Sequence, residues 1–150
     1  MRVAISQKYF GFTLIEMIMV LAVIGLIALV SLPVYQKIKP GLTLNSQARD
    51  IVSDLRYAQQ LSVTEQINYS VVFDQALNKY TIVNTASGAT LKSQNIKPII
   101  SINSITGLTA NTATFNVTGA ALESGNIILT SFNGNTKTIA IKPSGYVKIE

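Results

Sequence analysis

One long apolar stretch near the start of the chain constrains the fold more than any other feature. Residues 12–35 carry a single charged side chain, Glu16, and contain no proline before Pro33. As a helix rising about 1.5 Å per residue, these 24 residues extend roughly 36 Å, more than the bilayer's hydrocarbon core of about 30 Å. Because a lone strand cannot satisfy its backbone hydrogen bonds in lipid, we expect a membrane-spanning helix.

Glu16 is the anomaly of this stretch. A carboxylate inside an apolar membrane helix costs about 3 kcal/mol or more, and the stretch contains no cation that could pair with it. Two interpretations fit the composition. Either Glu16 lies at headgroup depth and is tolerated there, or its partner comes from another molecule.

The run from Gly11 to Glu16, after a short leader with Arg2 and Lys8, resembles the N-terminus of type IV prepilins and pseudopilins. The resemblance implies that a prepilin peptidase removes residues 1–11 by cutting after Gly11, and that the new N-terminal residue, Phe12, is N-methylated. It also implies that Glu16 sets the register of assembly by pairing with the N-terminal amine of a neighbouring subunit. The sequence departs from the family at residues 9–10, Tyr-Phe, where such leaders commonly carry a basic residue.

The main alternative for the N-terminal region is a secretory signal peptide. It would require a small-residue cleavage site after the apolar stretch, and residues 28–33 match one poorly. Charge does not set the orientation, because Arg2 and Lys8 precede the stretch while Lys37 and Lys39 follow it. The short N-terminal side and the resemblance favour a single pass through the inner membrane, with the N-terminus in the cytoplasm and the rest outside.

Glycine and proline predict irregularities in the long helix. Pro33 predicts a kink at the end of residues 12–35, and the resemblance implies that the stretch from Gly25 to Pro33 can lose helicity in filaments. Pro40 and Gly41 predict a break over residues 38–43. Residues 36–44 are therefore expected to act as a hinge.

A second, amphipathic helix is predicted over residues 45–64. Its apolar residues recur with 4-3-4-3 spacing: Leu44, Ala48, Ile51, Leu55 and Ala58. Asp50 and Asp54 are one turn apart on the other side, a spacing that could hold a cation. We favour a solvated face, because no further carboxylate converges there and no metal or cofactor is expected.

Beyond residue 66 the apolar period changes to two, which predicts strands. Strands are expected at residues 67–73, 79–84, 99–102, 112–118, 127–132, 136–141 and 146–149, with a tight hairpin at Asn133-Gly134. Residues 89–98 receive no assignment. One helix followed only by strands predicts an α+β head over residues 45–150 with mainly antiparallel pairing.

The order of segments 54–59, 114–119 and 138–149 resembles the GspH/FimT family of minor pilins and pseudopilins. The resemblance implies a head with two small β-sheets packed on the helix. It also implies incorporation into a type IV pilus or a type II secretion pseudopilus, or priming of its assembly. The partners it implies are other pilin or pseudopilin subunits, prepilin peptidase, membrane lipid and an inner-membrane assembly platform.

Three other functions are alternatives to this role. Some members of the resembled family bind DNA near the C-terminus, where Lys137, Lys142 and Lys148 could meet phosphates and Tyr146 could stack on a base. An enzyme is disfavoured, because the chain contains no cysteine or histidine and no nucleophile–base motif. A membrane-anchored binding module that never assembles would need neither Glu16 nor cleavage after Gly11.

Overall fold

The computed structural model describes residues 11–150 and, within them, every side chain except those of residues 33 and 34. The predicted leader, apart from Gly11, lies outside the described residues. The chain divides into two compact units, one ending at Lys37 and the other comprising Ile38–Glu150. The second unit is called the head.

A single helix, α1, runs from Leu14 to Glu65, and its part from Leu14 to Leu32 is long and apolar enough to cross a membrane. The predicted break over residues 38–43 is wrong, and the predicted second helix is the C-terminal part of α1. A proline removes one helical hydrogen bond without necessarily ending the helix. The Thr43 hydroxyl donates to the Lys39 carbonyl at 2.9 Å, and packing of the following turns outweighs the local preference of Pro40 and Gly41. Bending at Pro40 and Gly41 stays a prediction.

Eight strands follow α1, all paired antiparallel. They are β1 Tyr69–Asp74, β2 Lys79–Asn84, β3 Thr90–Asn95, β4 Ile100–Thr106, β5 Thr112–Phe115, β6 Gly125–Ser131, β7 Thr136–Ile141 and β8 Val147–Ile149. One sheet has the order β3-β2-β1-β5 and the other β4-β6-β7-β8, and a short 3₁₀ turn at Thr109–Asn111 precedes β5. The α+β fold with two small antiparallel sheets is confirmed.

Alternating strand residues and one stripe of α1 form a continuous core in the head. The helix contributes the predicted stripe, Leu44, Ala48, Ile51, Leu55 and Ala58, all buried. Ile82 and Phe115 of one sheet and Ile127 and Ile139 of the other belong to the same buried cluster. Burial of an aliphatic side chain stabilises the fold by about 2 kcal/mol, so this packing holds α1 helical through residues that favour a break.

Ser62 fastens the last turn of α1 to the first sheet. Its buried hydroxyl lies 2.9 Å from the Ala58 carbonyl oxygen and 3.2 Å from that of Phe115, and it accepts the Tyr69 N–H at 3.1 Å. The side chain therefore joins the helix to β1 and β5 at the point where the chain leaves the helix.

Candidate functional site

The N-terminal end of α1 places the predicted processing residues in the open. Gly11, Phe12 and Thr13 precede the helix and are exposed. The Glu16 N–H donates to the Thr13 hydroxyl at 3.3 Å, so Thr13 is the helix cap and Glu16 is the third residue of the first turn. A carboxylate is favoured there by the helix dipole.

Glu16 begins a shallow groove along the apolar part of α1. The groove is lined by Glu16, Met19, Val20, Val23 and Ile24, a spacing that keeps all five on one face of a helix. None of the residues from Leu14 to Leu32 is buried. Within residues 11–150 the Glu16 carboxylate has no cation or hydrogen-bond donor beside it. A second helix that packs along this groove would cover the apolar side chains. It could also bring a cation or a hydrogen-bond donor to the Glu16 carboxylate.

The predicted melting segment is helical in this structure. Gly25 and Pro33 both lie within α1, and a Cβ added at Gly25 would meet no atom within 4 Å. The Ser31 hydroxyl donates to the Ile27 carbonyl at 2.8 Å, within the same segment. Loss of helicity between Gly25 and Pro33 on assembly stays a prediction.

Asp54 is buried, and the expectation of a solvated face is wrong for it. Both of its carboxylate oxygens accept from Lys92 Nζ, at 2.7 and 2.8 Å, and the Tyr80 hydroxyl donates to one of them at 2.7 Å. Asp50 is exposed, as expected. The unassigned residues 89–98 supply the cation, because Lys92 lies in β3. Residues 11–150 hold no group of three acidic or other metal-binding side chains, and both carboxylate oxygens of Asp54 already accept hydrogen bonds.

Burial, and then the hydrogen bond to Asp54, raise the pKa of Tyr80 far above its ordinary value of 10.0. The folded protein therefore keeps this phenol protonated at a pH at which the unfolded chain releases the proton. Stability from this group is complete below pH 10 and falls as the pH rises further, by up to about 1.4 kcal/mol per pH unit.

We expect Tyr80→Phe to reduce this alkaline loss of stability. Urea unfolding of the full chain in detergent between pH 8 and pH 11 should show a smaller fall in the free energy of unfolding than for the wild type. Tyr57→Phe, at a tyrosine that is 45% exposed, serves as the control and should keep the wild-type slope. An unchanged slope in Tyr80→Phe would contradict the assignment.

The predicted DNA-contacting residues lie in β7, in β8 and in the turn between these strands: Lys137, Lys142, Tyr146 and Lys148. Lys137 shares its strand face with buried Ile139, whereas Lys148 pairs with Ala140, so strand alternation places the two lysines on opposite faces. Lys148 also forms an ion pair with Glu150, which raises the pKa of Lys148. The four residues do not form a single basic surface, and DNA contact by them stays a prediction.

Lys148 instead lies beside two arginines that the sequence did not single out. Arg49 and Arg56 of α1 line a cleft of about 580 Å³ together with Lys148. Arg56 donates to the Val147 carbonyl at 3.0 Å, which fastens β8 to the helix. The arginines could not be connected to Lys148 from the sequence, because about ninety residues separate them along the chain.

Gln59, Gly119 and Gly145 form a close contact that the sequence did not predict. Gln59 of α1 donates to the Gly119 carbonyl at 2.6 Å, and Gly145 lies directly against this pair with φ +80°. A Cβ at Gly145 would overlap both the Gly119 oxygen and the Gln59 amide. The turn before β8 thus packs on α1 only because residue 145 has no side chain.

Family models connect these features to known proteins. The model described as prokaryotic N-terminal methylation motif matches residues 6–32. The model described as Type II transport protein GspH matches residues 47–145, about two thirds of the chain. The chain belongs to the GspH family. Among curated proteins, none matches the sequence significantly.

Solved structures show the same head fold as this GspH-family chain. The type IV minor pilin FimU of Pseudomonas aeruginosa is 18% identical, with a TM-score of 0.59 over 71% of this chain and 87% of FimU. The minor pseudopilin EpsH of the Vibrio cholerae type 2 secretion system is 9% identical, with a TM-score of 0.61 over 71% of this chain and 95% of EpsH. At these identities the likeness establishes the fold.

The GspH-family chain is a minor pilin or pseudopilin. The methylation motif, the matched family and the fold agree on this role. The family is one of structural subunits, so the chain assembles with other pilin subunits, and the motif implies processing by prepilin peptidase. One apolar N-terminal helix followed by a head describes a membrane-anchored pilin.

Proposed function

We propose that cleavage after Gly11 and methylation of Phe12 prepare the subunit for assembly, and that Glu16 then pairs with the N-terminal amine of a neighbouring subunit. The observation that carries this proposal is the Glu16 carboxylate in the first turn of a membrane-length helix, where no group of residues 11–150 pairs with it. It follows Gly11 by five residues. The subunit acts by packing and pairing, without catalysis.

The energetics of the bilayer favour this pairing. A carboxylate moved into an apolar environment without a partner costs several kcal/mol, and an amine facing it removes much of that cost. The groove below Glu16 is apolar, so a neighbouring helix that brings the amine to Glu16 also covers Met19 and Val23. The charge pair then fixes the axial position, while the apolar contacts stabilise the association.

The same end of the chain supports a proposal for the membrane topology. We place α1 in the inner membrane with its N-terminus toward the cytoplasm, where cleavage after Gly11 would occur, and the head on the other side. The match of residues 6–32 to the methylation motif supports this orientation, because that motif implies processing by prepilin peptidase. An inner-membrane assembly platform would extract the processed subunit from this position into the filament.

We expect Gly11→Ala to leave the leader attached, because the added methyl group would obstruct the peptidase at the bond after residue 11. Intact-mass analysis of the protein from cells that contain the peptidase should give the uncut, unmethylated chain. Gly25→Ala is the matched control, since a Cβ there meets nothing, and it should be processed normally. Cleavage of Gly11→Ala at the same bond would contradict the assignment of Gly11.

A further inference from the structure

Three loops gather at the end of the head where the head's part of α1 begins. They are the β1–β2 turn at residues 74–79, the segment at residues 96–100, and the β6–β7 turn at residues 131–135. A Cβ added at Gly41 of α1 would lie 3.9 Å from Asn135 Nδ2. Gly41 follows Leu32, the last residue of the apolar span, by nine residues (41 − 32). We call these loops the proximal end.

Hydrogen bonds fasten the three loops to one another. Asn78 Nδ2 donates to the Ile100 carbonyl at 2.7 Å, and the Phe132 N–H donates to the Ile99 carbonyl at 2.9 Å. Each loop presents a large apolar side chain to solvent. Phe132 is 88% exposed, Leu77 63% and Ile99 39%. The proximal end is therefore one surface with three exposed apolar side chains.

The fold holds Phe132 in this position. The Gly134 N–H donates to the Ser131 carbonyl at 2.9 Å, and the Ser131 N–H donates to the Asn135 carbonyl at 2.8 Å. Gly134 supplies the positive φ, +79°, that closes the turn. Turn residues are usually polar, so an aromatic side chain fixed outward on a tight turn indicates a partner outside the head.

The charges around these loops are mainly positive. Lys39, Lys79, Lys97 and Lys137 lie in or next to them. Two carboxylates lie near these lysines, Asp74 opposite Lys79 in the strand register and Asp50 in the pocket that Lys97 also lines, which leaves +2 (4 − 2). Within residues 11–150 no carboxylate pairs with the lysines at positions 79, 97 and 137. Glu150 lies opposite Thr138, farther from the turn, and is paired with Lys148.

We propose that the proximal end binds the surface of an anionic bilayer, with Phe132, Leu77 and Ile99 among the headgroups and the lysines beside lipid phosphates. Apolar side chains flanked by lysines are typical of interfacial binding. The chain itself argues for lipid as the occupant. Nine residues span at most about 30 Å, so a subunit anchored through Leu14–Leu32 always keeps this surface within reach of the bilayer.

This inference rests on the membrane anchoring of α1 and adds a second membrane contact. The subunit waiting for assembly would be held by its span and by its head, and incorporation into a filament would release the head from the lipid. The apolar loops would then be free to meet a neighbouring subunit.

The absence of tryptophan from the chain permits a direct test. Phe132→Trp, in the full chain reconstituted in phosphatidylglycerol-containing vesicles, carries the only indole. We expect blue-shifted emission, quenching by brominated lipid, and iodide quenching weaker by about threefold than at a solvent-exposed control. Leu122→Trp is that control, because Leu122 is 59% exposed. Its backbone N–H donates to the Thr114 carbonyl, far from the proximal end.

Two further variants make the outcomes distinct. Leu21→Trp reports on the span, and its failure to be quenched by brominated lipid would overturn the membrane anchoring itself. If Leu21→Trp is quenched while Phe132→Trp is as accessible to iodide as Leu122→Trp, only the second contact is overturned. If Phe132→Trp is shielded from iodide in filaments but not in vesicles, the lipid contact of the head is likewise overturned. The surface would then bind a neighbouring subunit. Adding Lys97→Gln and Lys137→Gln to Phe132→Trp should weaken the brominated-lipid quenching in anionic vesicles.

Discussion

Glu16→Gln and Glu16→Ala should both enter the membrane and be processed, yet both should fail to incorporate into filaments. Without the carboxylate, the neighbour's N-terminal amine is left unpaired in an apolar environment. Breaking one partner of a buried ion pair costs about 3–5 kcal/mol, or roughly 150-fold to 4,000-fold in the association constant. Immunodetection of the subunit in sheared filaments, normalised to its amount in the membrane, measures the effect.

The glutamine variant separates the two roles that Glu16 could have. Glu16 is the third residue of a helix capped by Thr13, and glutamine can serve in such a capping box as well as glutamate. If Glu16 only stabilises the start of the helix, Glu16→Gln incorporates normally and Glu16→Ala weakly. Equal failure of the two variants indicates that the charge is required. Normal incorporation of both variants would show that Glu16 has no part in assembly.

Gly145→Ala should destabilise the head by about 3 kcal/mol or more, because the substitution combines a strained backbone with a steric overlap. The added methyl group would displace the Gly119 carbonyl or break its 2.6 Å hydrogen bond from Gln59. Either change separates the turn before β8 from α1. Urea unfolding of the full chain in detergent measures the loss in the free energy of unfolding.

Gly134→Ala is the matched control for this prediction. Gly134 has almost the same φ, +79° against +80°, but a Cβ there would meet nothing within 4 Å. It should lose only the backbone component, about 1 kcal/mol. Equal losses in the two variants would contradict the proposed overlap, since they would leave positive φ as the whole cause.

The sequence was sufficient where one local pattern decides the structure. The turn signals at residues 74–78 and at Asn133-Gly134 predicted β2 and β7 with their observed bounds. It failed at Pro40 and Gly41, where the local preference for a break competes with burial of Leu44 and Ala48. Tertiary packing is a sum over many residues, so no window around the proline contains the information that outweighs it.

Strand β3 shows a different reason for failure. Its side chains are almost all exposed, and it pairs only with β2 at the edge of its sheet. An edge strand that is exposed to solvent on both faces has no alternation of apolar residues by which it could be predicted. The same strand carries Lys92, so missing it also hid the partner of Asp54 and left the solvated face as the simplest interpretation.

The candidate site also contains residues that a local motif identifies and residues that only the fold brings together. Gly11, Phe12 and Glu16 lie within six residues, so a local motif identifies them, and the methylation-motif match covers this part of the chain. The contact among Gln59, Gly119 and Gly145 joins residues about sixty and ninety positions apart. Only the folded chain brings them together, and the single local hint is a glycine in a turn.

The most direct measurement is zero-length carbodiimide crosslinking of filaments assembled from a mixture of isotopically light and heavy subunits. Mass spectrometry of the digest then tests whether the Glu16 carboxylate and the N-terminal amine of an adjacent subunit are in contact. We predict an amide between the Glu16 peptide of this chain and the N-terminal peptide of another subunit, absent in Glu16→Gln. Crosslinking of Glu16 only within one chain, or to a side chain of the neighbour and never to its terminus, would contradict the pairing.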